Sequence, residues 1–67
     1  MGITQTNLDE LFTEREAAEY LGTTQGVLQV DRHMGRGLPY VRIGRRIRYR
    51  LKDIRAYLDA NTVNPGA

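Results

Sequence analysis

The residues of this chain with the clearest chemical capacity are its arginines. Between positions 32 and 52 it carries eight bases and no acid: Arg32, Arg36, Arg42, Arg45, Arg46, Arg48, Arg50 and Lys52, a local charge of +8. Seven of the eight are arginine, whose planar guanidinium engages two phosphate oxygens at once. Residues 1–31 have the opposite sign, with Arg15 set against Asp9, Glu10, Glu14, Glu16, Glu19 and Asp31, a charge of −5. The net charge of +2 conceals this segregation. A folded chain with one acidic and one basic side predicts a polyanion on the basic side.

Catalytic chemistry finds no comparable support. The single histidine, His33, stands two residues from Asp31, a spacing that points the two side chains apart on a helix. There is no serine for a serine–histidine pair, and one histidine without cysteine cannot assemble a metal site. Gly35-Arg36-Gly37 is too short for a phosphate-cradling nucleotide loop. The expectation is a protein that is not an enzyme and uses no cofactor. The absence of cysteine fits a reducing compartment. No apolar stretch approaches the ~20 residues that span a bilayer, and no signal-peptide pattern opens the chain. This predicts a soluble intracellular protein without membrane contact.

The elements that must position the arginines can be read from local signals. Residues 1–10 read as a flexible lead and residues 62–67 as a flexible tail, leaving one domain over 11–61. Thr13-Glu14-Arg15-Glu16 is a capping box that opens a short helix, with Phe12 placed as a hydrophobic staple and Gly22 as the stop. Thr24 caps a second helix running to about Met34, with Gly35 ending it. Val27, Leu28, Val30 and Met34 lie on one side of that helix; Gln25, Gln29, Arg32, His33 and Arg36 form a polar stripe. Gly26, in its first turn, costs about 1 kcal/mol against alanine. After a turn at Gly35–Pro39, residues 40–50 alternate as a β-hairpin. A three-residue loop, Gly44-Arg45-Arg46, pairs Ile43 with Ile47 and Val41 with Tyr49 and makes one face wholly apolar. That register sets Arg42 against Arg48, a repulsion that an anion would relieve. A last helix, from about Lys52 to Asn61, carries an Ile54, Tyr57, Leu58 stripe. The fold class expected is α+β: a winged helix-turn-helix of two short helices, a two-stranded wing and a C-terminal helix.

Two short helices joined by a tight turn place the second in the major groove of double-stranded DNA. The candidate contacts on that helix are Thr24, Gln25, Gln29, Arg32, His33 and Arg36, since glutamine pairs with adenine and arginine with guanine. On the wing they are Arg42, Arg46, Arg48 and Arg50 for phosphates and Arg45, at the tip, for a minor groove. Tyr40 is a half-buried strand residue or a phosphate donor.

The runs TEREAAEYLGTT and GRGLPYVRIGRRIRYRLKDIRAYL resemble the winged-helix domain of phage and mobile-element excisionases, a set related to MerR-type DNA-binding domains. The resemblance covers about residues 11–60. It implies a recombination directionality factor: a protein without catalysis that binds repeated attachment sites, bends them and recruits integrase for excision. It also implies a bacterial cytoplasm as the location. Asp31 and Gly26 depart from the family pattern, and an acid at position 31 needs a neutralising base. A MerR-like transcriptional regulator is the near alternative, though such regulators append a long dimerisation helix and this chain ends soon after Leu58. An interaction module using the acidic first helix is the alternative of another class. A protein this small covers little DNA, so several copies are expected side by side, with Glu14, Glu16 and Glu19 facing a neighbour's basic side.

Overall fold

In the computed structural model, which describes residues 7–65, the capping box forms as expected. The Thr13 hydroxyl accepts from the Glu16 backbone N–H at 3.0 Å, and the Glu16 carboxylate accepts from the Thr13 N–H at 2.9 Å. Those bonds also hold the Glu16 carboxyl below its ordinary pKa, the backbone bond contributing most. They open α1 (Glu14–Leu21), which Gly22 closes in the left-handed conformation at φ 73°. Thr24 caps α2 (Gln25–His33), its hydroxyl accepting from the Val27 N–H at 3.3 Å. α3 (Leu51–Ala60) follows directly on the last strand, with Arg50 at its N-cap.

Three strands make one antiparallel sheet: β1 (Leu11–Thr13), β2 (Val41–Ile43) and β3 (Arg46–Arg50), in the order β1-β3-β2. The α+β architecture is the expected one and the β2-β3 hairpin forms the wing, but a third strand, β1, joins it. Leu11, Phe12 and Thr13 pair with Arg50, Tyr49 and Arg48 and make β3 the central strand. The chain just before β1 is correspondingly tied down over its described part. The Glu10 carbonyl accepts from the Leu51 N–H and the Leu8 carbonyl from the Lys52 N–H, each at 3.0 Å. The first free amides of α3 thus find partners in a segment expected to be loose. The rest of the expected lead, residues 1–6, lies outside the described residues, as do the last two of the tail.

The hairpin register differs from the expectation by one residue. Val41 opposes Arg48, Arg42 opposes Ile47 and Ile43 opposes Arg46, leaving a two-residue loop of Gly44 and Arg45. Gly44 has φ 62° and Arg45 does not have a positive φ, the pattern of a type II′ turn, whose twist suits a hairpin. Turn chemistry wins because the core does not need β2. Phe12, Ile47 and Tyr49 share the inner face of the sheet, while Val41 and Ile43 lie on the outer face, Ile43 half exposed. The confrontation of Arg42 with Arg48 therefore does not occur. Arg46, Arg48 and Arg50 instead alternate along one strand and line the outer face, opposite Ile43, Val41 and Leu11.

Ala17, Ala18, Leu28, Leu38, Tyr49 and Ile54 form the core, with Phe12, Leu21, Ile47 and Tyr57 packed around it. The two alanines let α1 lie close to its neighbours. From α2 only Leu28 is fully buried. Val27, Val30 and Met34, expected on the same inward side, are exposed. The loop after α2 is held by Asp31, whose Cβ lies so near Gly37 that a side chain there would approach it to 2.9 Å. Gly37 also has φ 84°, so both space and backbone call for glycine.

Candidate nucleic-acid interface

The polar stripe of α2 divides in two. Gln25, Gln29 and His33 are exposed, in i, i+4, i+8 succession. His33 is anchored by its Nδ1, 2.9 Å from the Gln29 carbonyl, which leaves Nε2 outward. Thr24 occupies the turn between α1 and α2, its hydroxyl used in the cap.

Arg32 faces the other way. It is four residues after the buried Leu28 and shares its inward face. Its guanidinium donates to both carboxylate oxygens of Glu14, Nε and Nη2 standing 3.3 to 3.4 Å away. The side chains are 17% and 13% exposed. The Tyr49 hydroxyl donates to the same Glu14 carboxylate at 2.8 Å, and Arg32 lies 5.9 Å from the centroid of the Tyr40 ring. Tyr40 and Tyr49 meet edge to face, with centroids 6.5 Å apart. This cluster joins α1, α2, β3 and the approach to β2, so Arg32 serves the fold and is removed from the base-reading face. Glu14 is likewise turned inward, unavailable to a neighbouring molecule. Glu16 and Glu19 stay exposed.

Burial opposes the charge on Arg32, but Tyr49 and the Glu14 carboxylate outweigh it and raise its pKa further. Tyr49 is pushed up to about 12, first by burial and then by the bond to anionic Glu14. The neutral phenol thus favours the folded state fully below the ordinary value near 10, and this contribution disappears as pH rises from about 10 to about 12. Alkaline titration followed by circular dichroism is expected to show unfolding in that window. Tyr49→Phe, already less stable at neutral pH by about 1 kcal/mol, should lose less of its remaining stability there.

Asp31 receives its base. Arg36 Nε donates to its carboxylate at 3.0 Å, neutralising an acid that would otherwise repel phosphate beside the outward face. The Arg36 side chain is still 62% exposed, so its terminal amines can reach an anion as well.

The wing carries the free charge. Arg42, Arg45, Arg46 and Arg50 are exposed, and Arg48 is half-buried with one terminal nitrogen on the Ile47 carbonyl at 2.8 Å. Among the described residues the ion pairs are Arg15–Glu19, Arg32–Glu14 and Arg36–Asp31, so none of the five wing arginines is in an ion pair, although Arg48 lies near enough to Glu16 to help lower its pKa. Arg45 stands at the turn; Arg46, Arg48 and Arg50 present a row of cations at every second residue of β3. Arg42 is separated from that row on the opposite face, beside Ile47.

Sequence reasoning missed the outward apolar residues of α2. Gly26, Val27 and Val30 line a shallow groove with Thr24, Asp31 and Arg36. The sequence signal is Leu28 alone: with Leu28 inward, Val30, two residues on and about 160° away around the helix, points out.

A family model described as a helix-turn-helix domain matches residues 11–62. No curated protein matches the chain, and no solved structure does. Among the described residues no helix is long and apolar enough to cross a membrane.

Proposed function

The chain belongs to the helix-turn-helix domain family, a DNA-binding domain found in excisionase-like proteins, and from that premise we propose that it is a recombination directionality factor. In this reading it binds attachment-site double-stranded DNA, bends it and promotes integrase-mediated excision without chemistry of its own. The observation that carries the DNA contact is a wing whose five arginines form no ion pair among the described residues, in a helix-turn-helix chain whose second helix exposes Gln25, Gln29 and His33. Such cations gain by displacing the counterions condensed on a duplex. Arg46, Arg48, Arg50 and Arg36 hold phosphates, Arg45 at the turn enters a minor groove, Gln25, Gln29 and His33 reach base edges, and Arg42, on the opposite face of the wing, is left out of this contact.

Adjacent copies extend the interface along the DNA. Glu16 and Glu19, with Glu10, surround a cleft walled by Leu11, Phe12 and Tyr20, an acidic and apolar surface suited to the basic wing of a neighbour. Glu14, bound to Arg32, takes no part.

Two measurements test the reading. With roughly 5–8 phosphate contacts, log affinity should fall against log salt with a slope near −0.9 per contact, and a flat response would refute DNA binding. In an excision assay with the integrase of the same element, adding the protein should raise the yield of excised product. Salt-dependent binding without stimulation would reassign the protein to transcriptional regulation.

A further inference from the structure

The outward face of α2 carries more apolar surface than a solvated helix requires. At about 100° per residue, Gly26, Val30 and His33 share the face opposite Leu28 and Arg32. Gln29 lies on one flank and Val27 and Met34 on the other, while Gln25, in the first turn, falls on the side of Arg32. Val27 is 47% exposed, Val30 54% and Met34 64%. Folding does not select them. Valine and glycine are weaker helix formers than alanine at exposed positions. A Cβ added to Gly26 would meet nothing of the protein nearer than its own cap, Thr24 Oγ1, at 3.8 Å. These residues suit a surface that another molecule approaches closely.

The molecule assigned to this helix above is the DNA major groove, and the inference rests on that reading. Thymine alone of the four bases presents a methyl group there, and it is recognised by apolar contact. We infer that Val30, with Val27 beside it, reads the 5-methyl group of thymine. Gly26, one helical turn before Val30, leaves room for the duplex to come close. The groove shared by these three residues has Arg36 at its edge, so an apolar contact and a phosphate contact lie side by side. Asp31, in the same groove, already takes Arg36 Nε at 3.0 Å and is neutralised by it, while the exposed terminal amines of Arg36 can still reach a phosphate; a duplex uses both those amines and the valines. Different parts of α2 then read different features, a hydrogen-bonding edge by Gln29 on one flank and methyl groups by Val30 and Val27 beside it.

The experiment selects duplexes bound by the full chain from a random-sequence pool, then remakes them with deoxyuridine in place of each thymidine in turn. Uracil keeps every hydrogen-bonding group and lacks only the methyl. At one or two positions the replacement is expected to weaken binding about four-fold, the worth of one buried methyl-sized group. Val30→Ala should bind the thymine duplex about as weakly as the wild type binds the uracil one, and should be indifferent to the replacement. Alanine is the better helix former, so the variant folds, which circular dichroism checks. Wild-type binding that falls with salt but ignores every replacement would overturn the inference and leave DNA binding standing. Discrimination that persists in Val30→Ala would also overturn it. Loss of all binding in low salt would remove both readings together and favour a protein partner for the valines.

Discussion

Replacing Glu14 with alanine is expected to lower the folding free energy by about 3 kcal/mol and the melting temperature by roughly 15 °C. The carboxylate is the common acceptor for the Arg32 guanidinium and the Tyr49 hydroxyl. Its removal strands both in an environment where the Arg32 side chain is 17% exposed and Tyr49 1%. An arginine cannot shed its charge to escape, since its pKa lies too high for neutralisation near neutral pH. The cost is therefore that of an uncompensated cation, well above the about 1 kcal/mol of one ordinary hydrogen bond. For a domain this small, whose total stability is of the order of 5 kcal/mol, most of the margin disappears. Urea unfolding of Glu14→Ala, Arg32→Met and the double variant separates the pair from its parts. The double variant should be more stable than Glu14→Ala alone, because no charge is left without its counterpart. Equal stability of Glu14→Ala and wild type would show that Arg32 finds water or another acid instead.

That cluster also marks the boundary of what the sequence disclosed. Thr13 with Glu16, Gly22, and Thr24 were legible because each acts over a few residues, and a cap needs no knowledge of the rest of the fold. The spacing of Arg32 from Gln25 and Gln29 fits a base-reading stripe, which the fold does not honour. Its partner Glu14 stands 18 residues earlier, and Tyr49 is 35 residues from Glu14. Nothing local announces a bond across that separation. β1 escaped for the same reason: Leu-Phe-Thr is too short to show alternation and becomes a strand by pairing with β3. The hairpin register failed differently. Two local rules conflict there, an apolar face against the glycine of a tight turn, and the second prevails because β2 lies on the edge of the sheet. The consequence reaches function, because the correct register replaces a cross-strand repulsion with a row of arginines on one face. The case for a polyanion passes from unrelieved repulsion to unpaired, exposed charge.

That row sets the second large effect. Converting Arg46, Arg48 and Arg50 together to alanine should reduce the salt slope of DNA binding by about 2.7, at 0.9 per phosphate contact. Measured from a 1 M reference, the same loss amounts at 0.1 M salt to roughly 500-fold in affinity. The weakening should be nearly uniform across DNA sequences, since phosphates carry no base identity. The fold should tolerate the change better than it tolerates Glu14→Ala. Arg46 and Arg50 are exposed, and the Arg48 bond to the Ile47 carbonyl is one hydrogen bond from a half-buried side chain. Gln29→Ala provides the contrast: the salt slope should stay as in the wild type while the preferred site changes, because an amide facing the groove reads a base edge. The two outcomes divide the interface between a sheet face that supplies affinity and a helix face that supplies choice. An unchanged slope in the triple variant would place the duplex elsewhere, on Arg42 and the opposite face of the wing.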